Sequence, residues 1–202
     1  MKETIKLEIY SDYIWPWCYF ITGRVDKLKK NYNVDVEWLA FPLHPETPEE
    51  GVALEDLFKG RNFDINEMML RLKETAASLG LPLGNRKRTY NSRLAQELGK
   101  WAEQEGRGEA FHMAMFKAYF VDGINLAKID LLVEIAAALS LDGEAARRVL
   151  EDRTYKDAVD QDWQQAYERG ITAVPTFMVN GMRLVGAQPY EALEKLVRGS
   201  VL

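Results

Sequence analysis

One thiol and one proline-centred segment carry most of the chemistry open to this chain. The single cysteine, Cys18, follows Trp15-Pro16-Trp17 at the expected start of a helix, where it could serve as a thiol nucleophile. Alone it forms no internal disulfide. A lone cysteine is also more often a small buried hydrophobe than a reactive thiol, so the inert and the nucleophilic readings both stand. The second segment, Val174-Pro175-Thr176, directly precedes an expected strand. Tyr13, Trp15, Trp17, Tyr19 and Phe20 gather around the thiol and could form either a ligand platform or core, with Trp15 expected to be partly exposed.

Other chemistry-bearing residues read as structural. Two histidines, His44 and His112, stand far apart beside the one cysteine and cannot assemble a recognisable metal site. No metal is expected. His44 falls in a Pro-rich loop and His112 in a helix, and no catalytic role is assigned to either. Arg86-Lys87-Arg88 with Arg93 could hold an anion, but reads as a solvated loop face. Met68, Met69, Met113 and Met115 recur at helical spacing and read as core or groove lining.

The elements that must position these residues follow from periodicity. Thr4 to Tyr10 alternates Ile5, Leu7 and Ile9 with Lys6 and Glu8, which predicts a strand with one buried face. Trp17 to Lys30 is expected to be one helix, and Val34 to Phe41 a second strand stopped by Pro42, Pro45 and Pro48. From Leu54 to Arg169 helix formers dominate, with breaks at Gly60, Gly80, Gly106, Gly123 and Gly143, predicting five or six helices. Thr176 to Asn180, a turn at Asn180-Gly181, Met182 to Val185 and a helix from Pro189 close the chain.

At 202 residues, with 47% apolar and 28% charged side chains, the chain can bury a sizeable core and has an ordinary globular composition. A formal net charge of -5 argues against nucleic-acid and anionic-membrane partners, which reward excess Lys and Arg. The start through Lys2, Glu3 and Lys6 lacks the apolar core of a secretory signal. A cytoplasmic location is expected.

Several segments in order are similar to a known family. Ser11-Asp12, Pro16-Trp17-Cys18-Tyr19, Gly106-Arg107-Gly108, Ala118-Tyr119-Phe120, Val174-Pro175-Thr176-Phe177, Asn180-Gly181 and Gly186-Ala187-Gln188-Pro189 resemble DsbA-like thioredoxin-fold proteins. The resemblance is nearest to the FrnE subgroup, related to 2-hydroxychromene-2-carboxylate isomerases and kappa-class glutathione transferases. It implies an α/β thioredoxin fold with a large all-helical insertion, with residues 1–45 and 155–202 forming the thioredoxin-like domain and 46–154 the insertion. It also implies a cis Val174-Pro175 bond beside Cys18.

The family's loop is Cys-Pro-Trp-Cys at a helix N-terminus, where unpaired amides and the helix dipole lower a thiol pKa; its first cysteine attacks, and its second, the position of Cys18, resolves and is expected to be more shielded, less acidic and less reachable. Trp15 stands at the attacking position, so no internal disulfide cycle can run and Cys18 offers at most monothiol chemistry. The related isomerases carry a serine there and an Asp-Arg pair where this chain has Gln188-Pro189; glutathione is therefore disfavoured as a cofactor. The family's Ala-His-Arg-Leu reads Ala95-Gln96-Glu97-Leu98 here. The resemblance implies a thiol-disulfide oxidoreductase homologue with Cys18 as catalytic residue. The alternative is a non-catalytic module in which Trp15, Pro16, Trp17, Val174, Pro175 and Thr176 hold a thiol, a peptide or a small apolar ligand in an interdomain cleft. A glutathione-dependent isomerase or transferase ranks third, and oligomeric state is left open.

Overall fold

The computed structural model describes residues 4–60 and 64–199, so Lys2 and Glu3 of the N-terminal reading lie outside the described residues. Strand β1 (Ile5–Ser11) leads into helices α1 (Pro16–Phe20) and α2 (Thr22–Asn31), then strand β2 (Val34–Ala40). The expected single helix is thus two. The Thr22 hydroxyl donates to the Tyr19 carbonyl at 2.8 Å, a back-bond of the kind that bends helices, and Ile21 sits between the two segments.

The middle of the chain holds β3 (Val52–Ala53), α3 (Leu54–Leu57), α4 (Ile65–Ser78), β4 (Arg88–Thr89), α5 (Arg93–Gln104), α6 (Gly108–Phe120), α7 (Ile129–Ala138), α8 (Gly143–Glu151) and α9 (Lys156–Glu168). The expectation of a purely helical stretch is corrected here. Val52 pairs with Thr89 and Ala53 with Arg88, a two-residue ladder too short to leave a periodic signal. Gly51 makes it possible, because at φ +72° an added Cβ would stand 2.4 Å from the Thr89 carbonyl oxygen. Seven helices fill the span among the described residues, where five or six were expected.

Strands β5 (Thr176–Val179) and β6 (Met182–Val185) form a hairpin on Asn180-Gly181, both at positive φ, and α10 (Tyr190–Gly199) ends the described chain. The sheet order is β2-β1-β5-β6. β1 is parallel to β2 and antiparallel to β5, giving a mixed sheet. Side-chain alternation divides the core into two layers. Leu7, Ile9, Phe177 and Val179 pack with Val25 and Leu28 of α2 and Leu193 and Val197 of α10. Tyr10 and Met178 face the helical side, with Leu98, Phe116 and Leu132. β1 is therefore covered on both faces: Glu8, read as solvent-facing, pairs with Arg169 just past α9 at 2.6 Å. No helix among the described residues is long and apolar enough to cross a membrane.

Candidate functional site

The loop from β1 to α1 is pinned by a buried acid. Asp12 is 1% exposed; Oδ1 accepts from the Ile14 amide at 3.2 Å and Oδ2 from the Leu43 amide at 3.1 Å, fixing the loop to the chain leaving β2. Its backbone carbonyl accepts from the Trp15 amide. Burial pushes the Asp12 pKa up to about 6, against the pull of the Ser92 hydroxyl and the amides of Ile14, Leu43 and Tyr13. A carboxyl whose pKa is higher folded than unfolded stabilises the fold below the unfolded value and loses that contribution as pH rises through the folded value. Relative to Asp12→Asn, the natural chain should lose on the order of 2 kcal/mol of stability between about pH 4 and pH 6. Urea titrations of both chains across that window check this, and parallel curves would refute it.

Trp15 is the N-cap of α1 with extended backbone, Pro16 occupies the first helical turn, and the Cys18 amide closes the turn on the Trp15 carbonyl at 3.0 Å. This turn directs Trp17 outward, 38% exposed, and Cys18 inward, 0% exposed. Burial raises the thiol pKa to about 12; the Ser11 hydroxyl and the Asp12 backbone only partly oppose it. About one part in 100,000 of such a thiol is thiolate at pH 7. The helix start does not acidify this thiol, because desolvation outweighs the end effect of a five-residue helix.

Over this loop opens a cleft of about 660 Å³. Ile14, Trp15, Pro16 and Trp17 form one side, and Leu57, Phe58, Met68 and Leu72 from the α3–α4 region the other. Trp15 is half-buried, and Trp17 meets Phe20 edge-on at 5.5 Å. Polar groups are few: His44, Arg71, Glu74, Thr75, Arg86 and Thr89. Arg86 is held in place, its Nη1 donating to the Tyr119 hydroxyl at 3.0 Å while its guanidinium lies 5.0 Å from the Tyr119 ring and 5.3 Å from the Phe120 ring. The reading of Arg86 as part of a solvated loop is corrected by these contacts. Arg93 is likewise committed, to Glu97 and Asp160.

The second expected segment lies at the same end of the sheet but outside the cleft wall. Tyr10 pairs with Thr176, and Cys18 and Val174 belong to one buried cluster. The Val174-Pro175 bond is cis. Val174 and Thr176 are 5% and 1% exposed; the Thr176 hydroxyl donates to the Ala173 carbonyl, and the Gly186 amide to the Pro175 carbonyl. The structure thus brings Trp15, Pro16 and Trp17 to the cleft, while Cys18, Val174, Pro175 and Thr176 do not line it. Arg71, Leu57 and Phe58 were not singled out by sequence. The repeat of Met68, Arg71, Leu72 and Thr75 along one face of α4 is the signal that could have found that wall.

Where the family carries His-Arg, Gln96 and Glu97 are buried and structural. Gln96 bonds the Phe41 carbonyl and takes the Trp163 indole N–H, and Glu97, 0% exposed, takes Arg93 and Arg153. Among the described residues no cluster of three metal-ligating side chains occurs.

A family model described as the DSBA-like thioredoxin domain matches residues 6–198. The chain belongs to the DsbA-like thioredoxin family. The uncharacterized protein YwbO of Bacillus subtilis (strain 168) is 29% identical to this DsbA-like chain over 197 residues, 96% of each. The 2-hydroxychromene-2-carboxylate isomerase of Pseudomonas putida is 23% identical over 176 residues, 86% of this chain and 84% of that one. The crystal structure of a "probable DsbA oxidoreductase" from Streptomyces coelicolor superposes with a TM-score of 0.89 at 28% identity, covering 97% of this chain and 89% of that one. The fold is therefore the thioredoxin-like DsbA fold, within a family of oxidoreductases and isomerases.

Proposed function

We propose that this DsbA-like protein binds a small amphipathic ligand, an apolar body with an anionic group, in the cleft over Trp15-Pro16-Trp17, and that it performs no thiol-disulfide turnover. The observation that carries the reading is the contrast at the loop: an open, largely apolar cleft above a thiol that is 0% exposed. Monothiol chemistry through Cys18 is disfavoured by the same contrast, since an attacking sulfur needs thiolate character and access. Arg86, already fixed by Tyr119, supplies the cationic contact, and the Trp15 and Trp17 indoles supply stacking area.

The probe is 8-anilinonaphthalene-1-sulfonate, read by its own emission and by tryptophan quenching. Saturable binding should weaken about tenfold or more in Trp17→Ala and in Arg86→Gln, and be unchanged in Cys18→Ala. Cys18 in the folded chain should react with iodoacetamide at least about 100-fold more slowly than in denaturant. Rapid labelling of the native thiol, or probe binding indifferent to both cleft substitutions, would remove the proposal. Thermal stabilisation by glutathione, whose site would couple to the folded state alone, would transfer support to a glutathione-dependent isomerase.

A further inference from the structure

On the opposite flank of the loop, β2 is an outer strand whose two sets of backbone groups meet different fates. The Asn33 carbonyl accepts from the Ile5 amide at 2.9 Å and the Phe41 amide donates to the Ser11 carbonyl at 3.0 Å, so odd-numbered residues turn their backbone groups toward β1. Even-numbered ones turn away. Near the end of the strand the outward groups are occupied: the Ala40 amide donates to Asp162 Oδ2 at 2.8 Å, and Lys100 Nζ donates to the Trp38 carbonyl at 3.2 Å. In the same phase, the N–H and C=O of Val36 face outward with no partner among the described residues.

A groove of about 480 Å³ runs along this open stretch. Val34 to Trp38 form one wall, Val25 of α2 another, and Glu103 and His112 of α5 and α6 a third. Its charge is unbalanced. Lys6 and Lys29 are committed to Glu37 and Glu109, which leaves Asp26, Asp35 and Glu103 on the groove without an ion pair among the described residues. Lys100, whose charge also acts on Glu103, is bound to Asp162. Glu103 is exposed on the groove wall, so an arriving cation can reach its carboxylate. His112, 5% exposed and also lining the groove, keeps its Nε2 without a partner among the described residues.

We propose that this groove docks an extended segment of a partner protein bearing lysine or arginine, which adds to β2 as a strand and sets one cationic side chain beside Glu103. Strand addition supplies the missing partners of Val36, and the acidic walls select the charge. A second copy of the chain is the poorer occupant, because pairing edge to edge would set Asp35 and Glu37 against their own counterparts. The proposal is independent of the ligand cleft.

The test uses the full chain and the fluorescent peptide acetyl-Thr-Lys-Val-Lys-Val-Thr-amide, followed by anisotropy. Saturable binding is expected, weakening about tenfold with added salt, with methylation of alternate peptide amides, and in Val36→Pro. Proline on an edge strand is tolerated when its nitrogen faces away from the neighbouring strand, and an unchanged near-UV circular dichroism spectrum shows that the variant is folded. Glu103→Gln and the surface change Asp35→Lys should each weaken binding several-fold and provide a second route should Val36→Pro misfold. Equal affinity for the peptide with glutamate in place of lysine, indifference to Val36→Pro in a folded chain, or no binding at millimolar peptide would each overturn the proposal. So would concentration-dependent dimers abolished by Asp35→Lys, which would assign the edge to a second copy.

Discussion

Trp15→Cys should make this chain a working dithiol protein, raising the rate at which it catalyses insulin reduction by dithiothreitol at least about 100-fold over the natural chain. The expectation rests on the turn at the head of α1. The bond from the Cys18 amide to the Trp15 carbonyl closes four residues, which brings the two Cα atoms within about 7 Å, near the upper reach of a disulfide. A sulfur at the N-cap would stand at the cleft mouth, where Trp15 is half-buried, and attack as the thiolate. Cys18, held protonated by burial, would then displace the substrate sulfur from the mixed disulfide, giving up its proton and closing the internal bond. Thiol counts before and after oxidation give the second readout. A folded Trp15→Cys chain that keeps two free thiols under mild oxidant would mean that Cys18 is beyond reach, and the loop would no longer be an intact relic of redox turnover.

Glu97→Ala should be among the most destabilising single changes in the helical part, lowering the unfolding free energy by about 3 kcal/mol. Glu97 is fully enclosed and its two oxygens receive Arg93 Nε, Arg153 Nε and Arg153 Nη2 at 2.5 to 2.7 Å. Its removal leaves the Arg93 guanidinium, largely buried against Trp163, short of its main acceptor. Arg153 is 41% exposed and can turn to water, which keeps the loss at the lower end for a broken buried pair. Urea unfolding followed by far-UV circular dichroism measures it. A loss below about 1 kcal/mol would place the triad among ordinary surface pairs.

The sequence was most legible where one periodicity ran uninterrupted. Ile5, Leu7 and Ile9 marked β1, and Asn180-Gly181 marked the hairpin, because each signal arises within a few adjacent residues. The covered second face of β1 could not be read this way, since Glu8 owes its place to Arg169, far along the chain. The β3–β4 ladder joins residues separated by α3 and α4 and has only two pairs. At the site, local sequence located the loop and the aromatic cluster. Which side chains turn to the cleft depends on the packing of α3 and α4, so Arg86 looked like one charge among several until Tyr119 was seen to hold it.

That hold has a bearing on selectivity. A guanidinium lashed to a phenol and backed by two rings has few orientations left to surrender when a guest arrives, so its contribution should vary little with the guest's size. What it discriminates is where the guest's negative charge sits along its length. Molecules of equal charge and greasiness but different spacing between the two should therefore be sorted sharply by this protein, whereas those sharing the spacing should be accepted alike.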